Sequence, residues 1–234
     1  MSTYQALVLG SSGAIGQAWL AHFQSDVNCR LAVGLSRSSS PAFDLQNEDS
    51  MAHCAAALRS DSEQQGSGSF QWIIDATGAL TIDGVGPEKR IDALNAQHLL
   101  KQFEINAVGP ALLMKHFSTL LATHERAVYA TLSARVGSIE DNHKGGWYGY
   151  RAAKAARNML LQTAAIELSR KRPLAVFAAL QPGTVESRLS SPFVSAGHTI
   201  APELAVSKLM TVLINLPANG RAHFVDHSGQ HIPW

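Results

Sequence analysis

Short apolar runs that alternate with helix-forming stretches constrain this chain most. Ala6-Leu7-Val8-Leu9, Leu31-Ala32-Val33-Gly34-Leu35, Phe70-Gln71-Trp72-Ile73-Ile74, the run 127–132, the run 174–180 and Ala222-His223-Phe224-Val225-Asp226 all have strand length. Ala42-Phe43-Asp44-Leu45 adds a brief strand-like element. Between them, apolar positions recur at helical spacing. One helical run surrounds Met51 to Leu58, and another spans Ile91 to Leu121. A third runs from Tyr150 to Leu168, where Lys171-Arg172-Pro173 ends it, and the last covers about Pro202 to Ile214. Such alternation specifies an α/β fold with a parallel, doubly wound sheet. A chain of 234 residues, 46% of them hydrophobic, suits one domain over 1–234. The polar, glycine-rich stretch Asp61 to Ser69 reads as a surface loop rather than a domain linker.

Composition narrows the partners. A formal net charge of +1 gives no reason to expect nucleic acid or an anionic membrane surface. No apolar run reaches the roughly 18 residues of a membrane span, and the N-terminus lacks the basic region and cleavage site of a signal peptide. Cys29 and Cys54 have no metal-like spacing, and the ten histidines form no H-x-x-x-H cluster. A cytoplasmic protein without a metal site is expected.

The first strand stops at Gly10, and Ser11-Ser12-Gly13-Ala14-Ile15-Gly16 leads into a helix-forming segment. Strand, glycine-rich turn and helix together form the context in which glycines read as a dinucleotide site. Gly10 permits the tight turn, Gly13 lets backbone approach a pyrophosphate, and Gly16 allows close helix packing. The helix N-terminus then offers free N–H groups to phosphate. An ordinary βα turn is the alternative. After the second strand, Ser36-Arg37-Ser38 contains no acid that would hydrogen-bond a ribose 2′-hydroxyl. An arginine flanked by hydroxyls suits a 2′-phosphate, so NADP(H) is preferred over NAD(H). Otherwise Arg37 is a solvated loop residue. Small residues at the end of another strand, Asp75-Ala76-Thr77-Gly78, also suit close approach by a ligand.

Tyr150 and Lys154 lie four apart and share one helix face. An unperturbed tyrosine has a pKa of about 10, and a neighbouring ammonium favours its phenolate. The spacing suits proton exchange with a carbonyl oxygen, although Y-x-x-x-K also occurs by chance.

With Asn106 and Ser133 added in this order, the chain resembles the short-chain dehydrogenases/reductases over essentially its whole length. Asp44-Leu45 stands where that family has an adenine-contacting Asp, and Asp75-Ala76-Thr77-Gly78 where N-N-A-G is usual. Pro182-Gly183 and Val185 match the loop after the sixth strand. The run from Ser133 to Lys154 further resembles the C-factor-like branch. The resemblance implies a Rossmann-type sheet of about seven strands, in order 3-2-1-4-5-6-7, with helices on both faces. Tyr150 would be the acid/base, and Lys154 would lower its pKa and bind the nicotinamide ribose. Ser133 would hydrogen-bond the substrate carbonyl, and Asn106 would hold a water that relays protons to Lys154. Implied cofactor contacts are Gly10, Ser12, Gly13, Ile15, Gly16, Ser36, Arg37, Asp44, Leu45, Ala76, Thr77, Gly78, Pro182, Gly183 and Val185, beside Tyr150 and Lys154. The implied reaction is hydride transfer between a nicotinamide cofactor and a carbonyl compound or alcohol. A signalling or sensor protein of C-factor type with slow turnover is the alternative. A homodimer or homotetramer is implied as well.

Three departures stand out. The glycine spacing is G-x-x-G-x-x-G rather than G-x-x-x-G-x-G. Asp75 replaces an amide, which questions how that strand end is braced. The interval from Ser133 to Tyr150 is longer than usual, leaving Ser138 as a competitor. Ser133 is preferred because it directly follows its strand. Residues 186–200 form a long loop of the kind that is usually functional. Leu80, Trp147, Leu189 and Phe193 are candidate walls of an apolar substrate pocket, or else core or partner contacts. Arg135 and Arg188 keep a substrate carboxylate open.

Overall fold

A computed structural model describes residues 3–65, 69–187 and 199–234, with side chains at all of these except 61–65. Six strands form one parallel sheet: β1 (Tyr4–Leu9), β2 (Cys29–Leu35), β3 (Trp72–Asp75), β4 (Ala127–Leu132), β5 (Ala175–Gln181) and β6 (Ala222–Asp226). Their order is β2-β1-β3-β4-β5-β6. This is the expected doubly wound arrangement with one strand fewer.

The missing strand is Ala42–Leu45. Asp44 makes only an isolated bridge to Asn47. Its backbone N–H donates to Ser50 Oγ at 3.0 Å, and its carboxylate accepts from Gln46 N at 3.0 Å. These local bonds satisfy the backbone in a turn and compete with strand pairing. Phe43 is nevertheless buried in the core, and Leu45 packs against it. The stretch therefore keeps its apolar alternation without joining the sheet.

Successive strand residues face opposite layers. Ala6, Val8, Ile74, Val128 and Ala178 meet Trp19 and Phe23 of α1 (Ala14–Ser25) and Leu209 and Leu213 of α6 (Pro202–Asn215). Leu7, Leu9, Ile73, Tyr129 and Phe177 meet the opposite layer. That layer contains α2 (Glu48–Gln65), α4 (Gly109–Phe117) and α5 (Tyr148–Leu168). Covering both faces explains why the strands read as near-continuous apolar runs. The helix α2 also takes in Asp61 to Gln65, expected as loop; glutamate and glutamine are good helix formers.

The long helical pattern after Ile91 begins later than its periodicity suggests. Ile91–Ala93 forms a 3₁₀ turn, and the Asn95 side chain accepts from His98 N at 3.1 Å, capping α3 (Ala96–Phe103). The helix then passes through a π-helical segment, Glu104–Val108, into α4. Asn106 lies in this segment. Because the strands are parallel, the chain leaves every one at the same sheet edge. The strand order reverses between β1 and β3, which places the usual ligand crevice between Gly10 and Ala76.

Candidate active site

One side of the crevice is built from backbone. Gly10 adopts φ +84°, and a Cβ there would lie 3.0 Å from Thr77 Cγ2. A Cβ on Gly16 would stand 2.1 Å from the Gly10 carbonyl oxygen, so α1 can approach the turn only with glycine here. Gly13 is the N-cap of α1 and carries no capping side chain. The first helical N–H groups are therefore available to an anion. Ser12 is exposed, Ile15 is half-buried against the α1 core, and Ser12 O accepts from Gln17 Nε2 at 3.2 Å.

Beyond β2, Ser36 is buried and its hydroxyl lies 3.1 Å from Ser38 Oγ, while Arg37 projects exposed beside them. Asp44 is half-buried. Leu45 lies where a Cβ on Gly109 would meet it at 3.0 Å. This set fits a dinucleotide: a tight glycine turn, an uncapped helix start, and a cation next to β2.

The other side is built from buried side chains. The Lys154 ammonium donates to Leu132 O at 2.9 Å and sits 5.5 Å from the centroid of the Tyr150 ring. Asn106 is fully buried. It accepts from Ala79 N at 3.0 Å and donates to Ala79 O at 2.8 Å and Gln102 Oε1 at 2.9 Å. A Cβ on Gly78 would lie 3.0 Å from Asn106 Oδ1 and 3.3 Å from Lys154 Nζ, so Asn106 and Lys154 converge on that glycine. The π-helical turn aims Asn106 inward, a common use of such turns.

Ser133 directly follows the carbonyl that holds Lys154, and its hydroxyl donates to Asn158 Oδ1 at 2.6 Å. Ser138 is buried elsewhere. Its oxygen accepts from Asp141 N at 3.0 Å, and its hydroxyl points to Trp234 O at 3.5 Å. Trp147 adopts φ 56° immediately before α5 and contacts Tyr150 edge-on, with ring centroids 6.2 Å apart. Leu80 is buried, and its carbonyl accepts from Gln102 Nε2 at 3.1 Å. Gly183 has φ +83°, and Val185 forms an isolated parallel bridge with Ile200. Leu189, Phe193 and Arg188 lie outside the described residues. Arg135 is committed to Asp226 at 3.1 Å and Asp141 at 3.5 Å.

In the chain itself burial has the largest effect on both Tyr150 and Lys154. Burial pushes the Tyr150 hydroxyl up to about 12, with Arg157 opposing the rise. Lys154 is held well below the usual lysine range, first by burial and then by the neighbouring Arg157, with Asp75 acting the other way.

Sequence reasoning missed several residues. Arg157 and Asn158 follow Lys154 by three and four positions, so the helix period carries that signal. The acid at Asp75 left open how that strand end is braced. Its partner is Arg157, through a fully buried ion pair. Glu88 accepts from Gly149 N at 3.0 Å, and its backbone carbonyl accepts from Trp147 N, fixing the start of α5. No local pattern marks Glu88.

Residues 5–196 match the family model of the short chain dehydrogenases, and the chain belongs to that family. It is accordingly an oxidoreductase of CH–OH and C=O groups that works with a nicotinamide cofactor. It is 29% identical over 194 residues to the 1-hydroxy-2-glutathionyl-2-methyl-3-butene dehydrogenase of Rhodococcus sp. (strain AD45), covering 83% of this chain and 79% of that one. It is also 29% identical over 136 residues to the C-signal of Myxococcus xanthus, covering 58% and 78%. The crystal structure of an NADPH-bound carbonyl reductase from chicken fatty liver superposes with a TM-score of 0.84 at 18% identity, both chains covered completely. The carbonyl reductase Sniffer of D. melanogaster gives 0.82 at 20%, over 99% of this chain and all of that one. At such identities these two structures speak for the fold. Among the described residues no helix is long and apolar enough to cross a membrane.

Proposed function

We propose that residues 1–234 form one catalytic domain, an NADP(H)-dependent reductase that interconverts a small, apolar carbonyl compound and its alcohol. The observation that carries this reading is the convergence of Asn106 and Lys154 on Gly78, with the Tyr150 ring beside the Lys154 ammonium.

The nicotinamide cofactor would supply the hydride. The turn of Gly10, Ser12, Gly13, Ile15 and Gly16 would hold its pyrophosphate, and Ser36 and Arg37 a 2′-phosphate. Asp44 and Leu45 would flank the adenine. Ala76, Thr77, Gly78, Pro182, Gly183 and Val185 would line the remainder. With its hydroxyl pushed up to about 12, Tyr150 keeps its proton near neutrality, the form that donates to a carbonyl oxygen during reduction. Lys154 lies next in line to return that proton, and buried Asn106 holds the strand-end backbone around it. Ser133 follows Leu132, whose carbonyl anchors Lys154, and positions the substrate oxygen. The position of Ser133 directly after the carbonyl that anchors Lys154 supports it over Ser138 as the working serine. Trp147, edge-on to Tyr150, supports an apolar or aromatic substrate, with buried Leu80 as a further wall.

Exposed Leu100 and Val108 on the α3–α4 helix and exposed Met159 and Ile166 on α5 support pairing with a second copy, giving a homodimer or homotetramer. The cytoplasm is the proposed location.

A carbonyl panel followed by NADPH absorbance, with Tyr150→Phe as the blank, tests the reading. NADPH oxidation by the native chain and none by the variant is expected. Tight NADPH binding without oxidation across the panel would overturn it in favour of a sensor of C-factor type, which the likeness to the C-signal supports.

A further inference from the structure

Among the described residues, Asp75 and Arg157 form a buried ion pair at the end of β3. Both side chains are almost completely buried, at 1% and 2% exposure. Arg157 spends its donors in three directions: Nε to Thr131 Oγ1 at 2.7 Å, Nη1 to Thr77 O at 2.9 Å, and Nη2 to Asp75. Asp75 in turn accepts from Thr77 N at 3.0 Å, Thr77 Oγ1 at 2.5 Å and Thr131 Oγ1 at 2.8 Å. A lysine could not make this set, because only the planar guanidinium presents donors along fixed, divergent directions.

The network also reaches the site. A Cβ on Gly78 would lie 3.3 Å from Lys154 Nζ and 3.8 Å from Arg157 Nη1, so one methyl-sized volume touches both cations. Arg157 is three residues beyond Lys154 and therefore on the same helix face. The other ionisable groups facing Lys154 are Tyr150 on its own helix and Asp75 at the end of β3. Tyr129 of β4 faces the ion pair, and the π-helical turn contributes only the uncharged Asn106.

We propose that Arg157 is a positioning residue of this site, acting with Asp75 as a buried charge pair that braces the Thr77–Gly78 turn and sets the electrostatic field around Lys154. The pair does two things at once. Its hydrogen bonds fix the backbone against which Asn106 and Lys154 pack. Arg157 shares the Gly78 volume with Lys154, and two like charges there repel, in keeping with Arg157 lowering, and Asp75 raising, the proton affinity of that ammonium. An amide at position 75 with an apolar residue at 157 would fill the same space without this field.

The kinetic consequence rests on the reductase reading, but the decisive readout does not. The lysine ¹³Cε resonances of the protein without added nucleotide report Lys154 directly, assigned against Lys154→Arg. Arg157→Leu removes the repelling cation and moves the Lys154 midpoint up by about one pH unit or more, whereas Asp75→Asn moves it down. The pH limb of NADPH-dependent reduction moves in the same two directions. A purely structural role would lower turnover without moving either quantity. Unmoved midpoints, or two shifts of the same sign, would overturn the proposal.

Should both variants fail to fold, Arg157→Lys carries the test. It keeps the charge and loses the fork, so the midpoint stays while NADPH binding, followed by fluorescence titration, weakens several-fold. Unchanged binding in that variant would overturn the bracing role. Absence of turnover in the native chain would overturn the reductase reading and leave the Lys154 titration standing.

Discussion

The two banks of the crevice are made of different material. At the end of β1 the chain offers main-chain N–H groups, glycines and an exposed helix start, with no charged side chain in the turn itself. At the ends of β3 and β4, one strand away, it buries a lysine, an arginine and an aspartate together with a tyrosine, a serine and two asparagines. The first bank presents shape and partial charge, and its conformation costs little beyond the glycines it requires. The second holds ionisable groups out of water, where a buried charge is costly without a partner. Stability and chemistry are therefore coupled on the β3–β4 bank and nearly separate on the β1 bank.

The comparison breaks most easily at Asp75. Asp75→Ala leaves Arg157 charged and buried, and we expect a loss of about 3–5 kcal/mol in chemical denaturation. The double variant Asp75→Asn/Arg157→Leu should cost far less than the sum of its parts. Additive losses would mean that the pair is not a unit. Next in size is the serine. Ser133→Ala should reduce kcat by about 10²–10³-fold, the usual worth of a donor aimed at a developing oxyanion. Ser138→Ala should leave kcat within a few-fold and lower only thermal stability. Reversed effects would move the substrate oxygen to the other serine.

On the β1 bank the effects should be smaller and of another kind. In Gly16→Ala the new Cβ meets backbone rather than a movable side chain. A loss of about 1–3 kcal/mol is expected, together with weaker NADPH binding. A stable variant with native affinity would show that the turn yields more freely than its geometry indicates. Smallest of all, Arg37→Ala should lower the ratio of NADPH to NADH affinity by about tenfold, the equivalent of about 1.4 kcal/mol for one charge-assisted contact. An unchanged ratio would mean that Arg37 does not read the phosphate. No change in folding stability is expected there, since the side chain is exposed.

How far the sequence could be read follows the same division. The glycine turn was legible because its requirements are local: a strand end, a tight turn and a helix start within a dozen residues. Tyr150 and Lys154 were legible because helical periodicity links them. Asn106 stood in a helical pattern that gave no hint of a π-helical turn, and so its burial could not be read. The supposed strand Ala42–Leu45 has the right alternation, yet the Asp44 and Ser50 side chains close it into a turn. Asp75 was visible as an oddity, and its partner lies 82 positions further along the chain.

By itself, then, the sequence determined what periodicity and backbone sterics carry: the doubly wound class, the glycine turn, the family, and the Tyr150–Lys154 face. The tertiary structure decided the number of strands in the sheet, the partner of Asp75, and the surroundings of the buried charges. The reason is physical. Propensity and period act over a few residues, whereas a proton's affinity is set by every charge and dipole within several ångströms, whichever strand or helix supplies it. Burial raised Tyr150 and lowered Lys154, and Arg157 and Asp75 then adjusted both the lysine and its surroundings. None of these effects can be assigned until folding has brought β3, β4 and α5 together.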